Sequence, residues 1–158
     1  MNILFLCTGN SCRSVLAEAT FNALAGSEMR AISAGSHPTG TVHPRSLALL
    51  RREGISTEGL HSKSWTGLPT IPDIVITVCG NAAGETCPAY LGPVLRSHWG
   101  VEDPAKATGT DAEIDSKFEQ AYRTLRVRIE AFLKLPLDRL KHDREQLTVA
   151  LDRIAQLS

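Results

Sequence analysis

The N-terminal stretch MNILFLCTGNSCRS constrains the fold more than any other part of the chain, because an apolar run passes there directly into a glycine-containing loop. Asn2–Leu6 has the continuous apolar character of a strand that is buried on both faces of a parallel sheet. Apolar residues then recur at helical spacing between Ser14 and Leu24, which predicts a helix that ends near Gly26. A strand, a short loop and a helix form the building unit of parallel α/β folds.

The same alternation continues along the chain. Two further strands and two helices are predicted, the strands at residues 31–34 and 71–79 and the helices at residues 44–54 and 111–135. Pro44 suits the first turn of one helix, and Pro136 stops the other. Residues 80–93 contain Gly, Asn and Pro and are predicted to form a loop.

A last amphipathic stretch, at about residues 139–156, predicts a C-terminal helix. We therefore expect an α/β domain with a mostly parallel sheet over residues 1–136. Residues 137–158 are expected to form a helical extension that packs on the same domain.

Charge and length exclude several classes of function. Seventeen Lys and Arg balance seventeen Asp and Glu, so no global field favours nucleic acid or anionic membranes. No segment reaches the roughly 20 apolar residues of a membrane span. With 158 residues the chain has the length of one domain, which we expect to be cytosolic. In that compartment four cysteines are more often catalytic thiols, metal ligands or core residues than permanent disulfides.

The opening loop has the design of an anion site. Backbone N–H groups of Thr8, Gly9, Asn10, Ser11 and Cys12, together with the N-terminus of the following helix, converge on one point. Arg13 adds a planar fork of donors that suits a tetrahedral oxyanion. Both features stabilise a thiolate, so the pKa of Cys7 is expected to be lowered. Ser14 is expected to donate to that thiolate or to cap the helix.

Taken singly, these residues also fit a buried structural thiol, a surface arginine and a plain helix cap. Taken together, CTGNSCRS resembles the phosphate-binding loop of the low-molecular-weight protein tyrosine phosphatases and of the arsenate reductases that share their fold. The resemblance extends over about residues 2–135. It implies a three-layer α/β sandwich around a four-stranded sheet, with Cys7 as nucleophile, Arg13 as oxyanion clamp and residues 8–14 as the substrate-binding loop.

The segment HWGVEDPA offers a proton donor for the leaving oxygen. Asp103 precedes Pro104, and the family carries its general acid in such a pair, so the resemblance implies Asp103 as the acid. Glu102 is the nearest competitor. His98 and Trp99 are expected to be scaffold residues.

Two further cysteines separate reductase from phosphatase chemistry. Reduction of arsenate needs two electrons, which a pair of thiols supplies on forming a disulfide. The resemblance to thioredoxin-coupled arsenate reductases implies a relay for arsenic detoxification. Cys7 attacks arsenate, Cys79 attacks the Cys7 sulfur and expels arsenite, and Cys87 then attacks Cys79. Thioredoxin is the expected reductant, and glutaredoxin or a small thiol remains open.

No tightly bound cofactor and no nucleic-acid partner are expected, and phosphate or sulfate should compete with arsenate. We expect a monomer. Some relatives carry a potassium site near the loop. Asn10, Glu18 and Ser33 match parts of it, but Lys63 stands where an acid would be needed, and its ammonium would replace the cation, so no metal is predicted. Cys12 is expected to pack beneath the loop rather than serve as a redox thiol.

Three other functions also draw on these residues. A zinc site built from the four cysteines would give no role to Arg13 or Asp103. A phosphatase would use Cys7, Arg13 and Asp103 alone, but only Tyr90 and Trp99 offer aromatic rings near the site. A non-enzymatic oxyanion-binding protein would need neither an acid nor a thiol relay.

Overall fold

The computed structural model of the chain describes residues 1–79 and 94–158. Within these residues the centre of the fold is a four-stranded sheet, in the order β2-β1-β3-β4, in which all neighbouring strands are parallel. The strands are β1 (Asn2–Leu6), β2 (Arg30–Ala34), β3 (Ile74–Thr77) and β4 (Leu95–His98). The predicted α/β fold with a parallel four-stranded sheet is confirmed.

Helices surround this sheet. They are α1 (Arg13–Leu24), α2 (Pro44–Arg52), α3 (Asp111–Leu133), the short α4 (Leu137–Leu140) and α5 (Arg144–Ile154), with a 3₁₀ turn at Pro104–Lys106. Helix α1 packs on β1 and β2 and against α3, so its residues 14–21 are all buried. No helix in the described part of the chain is long and apolar enough to cross a membrane.

Aromatic rings join these layers. Phe5 of β1 lies 6.1 Å from Phe21 of α1 and 6.2 Å from Trp99, measured between ring centroids. Phe132 of α3 contacts both Phe21 and Trp99. All four rings are almost completely buried, so burial of apolar area holds the helices on the sheet.

Three elements differ most from the sequence prediction. Strand β3 covers Ile74–Thr77 rather than residues 71–79, and Ile71 is 65% exposed. Strand β4, which the hydrophobic pattern missed, buries Leu95 and Ser97 and exposes Arg96 and His98. The predicted helix over residues 139–156 is divided into α4 and α5, because Asp143 caps a new helix by accepting a hydrogen bond from the N–H of Gln146.

The strand order places the ends of β1 and β3 side by side. Leu6 pairs with Thr77, and the N–H of Val78 donates to the Leu6 carbonyl at 2.9 Å. The loops that follow these two strands leave from the same edge of the sheet, which is where α/β folds bind ligands. Cys7 and Cys79 both lie at this edge.

Candidate active site

The loop from Cys7 to Cys12 connects β1 to α1, and its carbonyl groups are bonded away from its centre. The carbonyls of Thr8, Gly9 and Ser11 accept hydrogen bonds from the N–H groups of His37, Thr39 and His43, at 3.0, 3.0 and 3.1 Å. In a trans peptide the N–H of the next residue points opposite to the carbonyl. The N–H groups of Gly9, Asn10 and Cys12 therefore face the inside of the loop, as in an anion-binding nest.

Asn10 holds this loop closed. It is completely buried and has a φ of +46°, a left-handed conformation that asparagine tolerates better than most residues. Its side chain donates to Ser14 Oγ at 2.8 Å and accepts from the Lys63 N–H at 2.9 Å. Ser14 lies within the first turn of α1 rather than at the cap, which is Cys12, so the cap reading of Ser14 is wrong.

Gly35 is a loop-supporting residue that the sequence did not single out for this purpose. A Cβ atom at Gly35 would lie 2.4 Å from the Thr8 carbonyl oxygen and 2.8 Å from that of Cys7. The loop thus packs backbone to backbone on Gly35, which only glycine permits. The sequence showed a glycine after β2 but carried no sign of the approach by residues 7 and 8.

Arg13, the first residue of α1, is oriented by the segment that follows β4. Its Nη1 donates to the Val101 carbonyl at 2.9 Å, and its Nη2 lies 3.4 Å from Asp103 Oδ2. Arg13 Nε is buried and has no hydrogen-bond partner among the described residues. A buried donor of this kind is costly to leave unpaired, and an acceptor oxygen placed beside it would remove that cost.

The thiols of Cys7 and Cys79 lie together. The Cys79 sulfur lies 3.3 Å from the N–H nitrogen of Thr8 and 3.4 Å from its hydroxyl, while the Cys7 thiol is hydrogen-bonded to Cys79. Both cysteines are buried, 4% and 3% exposed.

This pairing changes the acidity of Cys7. The hydrogen bond with Cys79 and burial raise the pKa of the Cys7 thiol well above its ordinary value, whereas Arg13 and the Gly9 N–H lower it. The raising effects are larger, so the expectation of a lowered pKa is wrong for this arrangement. The sequence indicated the effect of Arg13 but not the approach of the Cys79 thiol to Cys7.

Asp103 lies at the start of the 3₁₀ turn, where its Oδ1 accepts from the N–H of Ala105 at 3.0 Å. Its other oxygen faces Arg13. Its competitor Glu102 is exposed. Trp99 is completely buried in the core, so it does not line the site as the phosphatase alternative would require. Cys87 and Tyr90 lie outside the described residues.

A second polar cluster lies behind the loop. Glu18 Oε1 accepts from the N–H and hydroxyl of Ser33, at 2.7 and 2.8 Å, and pairs with Lys63 Nζ at 3.4 Å. The Lys63 ammonium therefore lies where a bound cation would neutralise Glu18. Among residues 1–79 and 94–158, no three His, Cys, Asp or Glu side chains are grouped as metal ligands.

Cys12 is also buried, and burial raises the pKa of its thiol. Its sulfur lies 4.0 Å from Ser11 Oγ, at the N-terminus of α1. The Cys12 backbone joins the loop to α1, because the Cys12 carbonyl accepts the first hydrogen bond of the helix from the Leu16 N–H.

Several proteins of known sequence are similar to this chain. The sequence model of the low molecular weight phosphotyrosine protein phosphatase family matches residues 2–146. An arsenate reductase of Oceanobacillus iheyensis is 38% identical over 133 residues, which cover 84% of this chain and 94% of that protein.

Solved structures of arsenate reductases are also similar to this chain. An arsenate reductase from Archaeoglobus fulgidus superposes with a TM-score of 0.70 at 25% identity, covering 84% of this chain and 99% of that one. A thioredoxin-dependent arsenate reductase of Corynebacterium glutamicum superposes with a TM-score of 0.56 at 28% identity, covering 82% of this chain and 61% of that one.

Proposed function

The chain belongs to the low molecular weight phosphotyrosine protein phosphatase family, and on that premise we propose that it is an arsenate reductase in which Cys7 is the nucleophile and Cys79 the second thiol. The observation that carries this proposal is the contact between the two thiols. Hydrolysis of a phosphoester needs one cysteine, whereas reduction of arsenic needs a second thiol that reaches the first. Cys79 is hydrogen-bonded to Cys7 and held by Thr8.

Substrate binding uses the loop and Arg13. The inward N–H groups of residues 9, 10 and 12 and the unpaired Arg13 Nε offer charge-assisted hydrogen bonds to a tetrahedral dianion. Helix α1 begins at Arg13, so its N-terminus adds a favourable field. Phosphate and sulfate share this shape and charge, and both are proposed as competitors of arsenate.

In the first chemical step the Cys7 thiol gives its proton to an oxygen of the arsenate dianion, the Cys7 sulfur forms a bond to arsenic, and one arsenic–oxygen bond breaks. The leaving oxygen takes a proton and departs as water, and Asp103, beside Arg13, is the proposed donor. Arg13 faces both the oxyanion and Asp103, so it holds the donor close to the leaving oxygen.

In the second step the Cys79 sulfur attacks the Cys7 sulfur. A disulfide bond forms, the sulfur–arsenic bond breaks, and its electron pair remains on arsenic, which leaves as arsenite. The two thiols thus supply the two electrons. The Thr8 N–H and hydroxyl, both against the Cys79 sulfur, stabilise its thiolate for this attack.

The last steps rest on the sequence, because Cys87 lies outside the described residues. Cys87 attacks Cys79, releases the Cys7 thiolate and leaves a Cys79–Cys87 disulfide for an external reductant. A thioredoxin-like protein is the proposed reductant, in line with the Corynebacterium glutamicum relative. Such chemistry needs a reducing compartment, so we propose that the enzyme acts in the cytoplasm. A monomeric state remains a separate proposal.

The test is arsenite production with a thioredoxin system by wild type, Cys7→Ser and Cys79→Ser. Both variants should lose arsenite production, but Cys79→Ser should still hydrolyse an aryl phosphate at least as fast as wild type, because that reaction needs only Cys7, Arg13 and Asp103. Wild-type arsenite production by Cys79→Ser would refute the reductase mechanism. Aryl phosphate hydrolysis far faster than arsenate reduction would favour the phosphatase alternative.

A further inference from the structure

The C-terminal helix α5 packs on the strand that leads into the acid-bearing segment. The family match ends at residue 146, so most of α5 (Arg144–Ile154) lies beyond it. Leu147, Leu151 and Ile154 of this helix are buried, and the helix contacts both β4 and α3. This part of the chain is therefore integrated into the core rather than attached to its surface.

Two polar contacts tie α5 to the end of β4. Ser97 Oγ donates to Asp152 Oδ1 at 3.1 Å, and Trp99 Nε1 donates to the Leu151 carbonyl at 3.2 Å. Trp99 is fully buried, so its indole N–H would be costly to leave without an acceptor. The helix thus supplies the acceptor for Trp99, four residues before Asp103.

Arg128, on α3, joins α5 to the same segment from the other side. Its side chain donates to three carbonyls, with Nε 2.9 Å from Leu157 O and Nη1 2.9 Å from Trp99 O and 3.2 Å from Gly100 O. Arg128 is only 6% exposed, and burial lowers its pKa from the ordinary value. Among the described residues no carboxylate lies within ion-pair distance of it.

A buried cation without a carboxylate partner loses its hydration, and the hydrogen bonds that Arg128 donates to the three carbonyls offset this cost. The planar fork of arginine reaches carbonyls on both sides, whereas a lysine ammonium is a point charge on a flexible stem. Arg128 therefore specifies the direction of two consecutive peptide groups, those that follow Trp99 and Gly100.

The next residue, Val101, transmits this constraint to the site. Its N–H donates to the Val78 carbonyl at 3.0 Å, next to Cys79, and its carbonyl accepts from Arg13 Nη1 at 2.9 Å. The Val101 carbonyl therefore orients Arg13, and Arg128 holds the adjacent carbonyl, that of Gly100.

We infer that Arg128 is a positioning residue for the oxyanion site. Arg128 is held by the Leu157 carbonyl, after α5, and it fixes the carbonyls of Trp99 and Gly100. In this position the Val101 carbonyl orients the Arg13 guanidinium. The inference rests on the proposed function for the identity of the oxyanion, but not for its binding. It assigns the C-terminal helix a part in setting the affinity of the site.

The test compares Arg128→Lys with wild type by calorimetric titration of inorganic phosphate. Arg123→Lys is the matched control, since Arg123 lies on the same helix, 66% exposed, and pairs only with Glu119 in the described structure. Arg128→Lys should bind phosphate about tenfold more weakly, whereas Arg123→Lys should match wild type. If Arg128→Lys does not fold, Arg128→Gln provides the same comparison.

A purely structural role would lower thermal stability without changing phosphate affinity. Wild-type phosphate affinity in a folded Arg128 variant would therefore overturn the inference. A double-mutant cycle with Arg13→Lys is a second test. If Arg128 acts through Arg13, Arg128→Lys should change the phosphate affinity little when Arg13 is already replaced by Lys. Full additivity would contradict it. Failure of wild type to reduce arsenate would refute the proposed function alone, because phosphate binding needs no reduction.

Discussion

The backbone N–H of Thr8 points at the sulfur of Cys79, 3.3 Å away, although 71 residues separate the two in the chain. The pairing of β1 with β3 produces this contact, because it places the loops after both strands at the same edge of the sheet. The peptide that follows Cys7 therefore contacts the Cys79 thiol.

Removing the Cys79 thiol should make Cys7 more acidic. The hydrogen bond with Cys79 is the largest cause of the raised pKa of Cys7, and Arg13 and the Gly9 N–H remain to lower it. In Cys79→Ala, alkylation of Cys7 by iodoacetamide should therefore begin at lower pH than in wild type. Mass spectrometry of the peptide that contains Cys7 measures this profile. An unchanged profile would mean that the two thiols do not interact.

The same shift predicts how stability depends on pH. The folded-state pKa of Cys7 lies above its ordinary value of 9.0, so the unfolded chain loses this proton first as the pH rises. The contribution of Cys7 to stability is fully present below pH 9.0 and is lost as the pH rises beyond it. Wild type should lose more unfolding free energy above this pH than Cys7→Ser, which has no thiol to titrate.

Asp103→Asn should slow arsenate reduction about 10²- to 10⁴-fold, because the amide cannot protonate the leaving oxygen. The amide oxygen still accepts from the Ala105 N–H, so the turn should remain intact. The exposed neighbour Glu102 provides the control variant Glu102→Gln, which should turn over at the wild-type rate. Initial rates of arsenite release decide the assignment, and equal rates for both variants would exclude Asp103 as the acid.

Gly35→Ala should distort the phosphate-binding loop. The added Cβ meets two carbonyl oxygens of the loop at 2.4 and 2.8 Å, and the backbone must move to relieve this overlap. We expect a loss of about 2–3 kcal/mol of unfolding free energy together with weaker phosphate binding. Gly26→Ala, where a Cβ meets nothing within 4 Å, is the control. Chemical denaturation and phosphate titration of both variants should separate them clearly, and similar behaviour would contradict the packing described.

Lys63→Met should destabilise the cluster behind the loop. It leaves the Glu18 carboxylate, whose side chain is 11% exposed, with Ser33 but without a cation. We expect a loss of about 1–2 kcal/mol of unfolding free energy by urea denaturation. The exposed Lys117, replaced by Met, should change stability by less than about 0.5 kcal/mol. A loss no greater than that of the control would show that the ion pair contributes nothing.

Much of this arrangement follows from local sequence. The strand β1 and the helix α1 were predicted within one residue, because a continuous apolar run and a helical repeat flank an unmistakable loop. Strand β4 was missed because LRSH contains a single apolar residue and its inward Ser97 is satisfied by Asp152, far along the chain. A hydrophobic pattern cannot register such a partner.

In the site, too, local sequence predicts some features, whereas others depend on distant residues. The residues of the loop were identifiable from their types, whereas their energetics depend on contacts between distant segments. The pKa of Cys7 was predicted in the wrong direction because Cys79 approaches it through strand pairing. Gly35 and Arg128 act through backbone carbonyls of other segments, which no residue type in the sequence indicates.

We propose that Cys79 is the thiol that resolves the arsenylated Cys7. The most direct test of this role is one turnover of arsenate by Cys87→Ser without reductant, followed by mass spectrometry of the disulfide formed. Because the relay cannot proceed past Cys79 in this variant, we predict one equivalent of arsenite and a trapped Cys7–Cys79 disulfide. Release of arsenite with Cys7 joined to Cys12, or with Cys79 still reduced, would contradict the account.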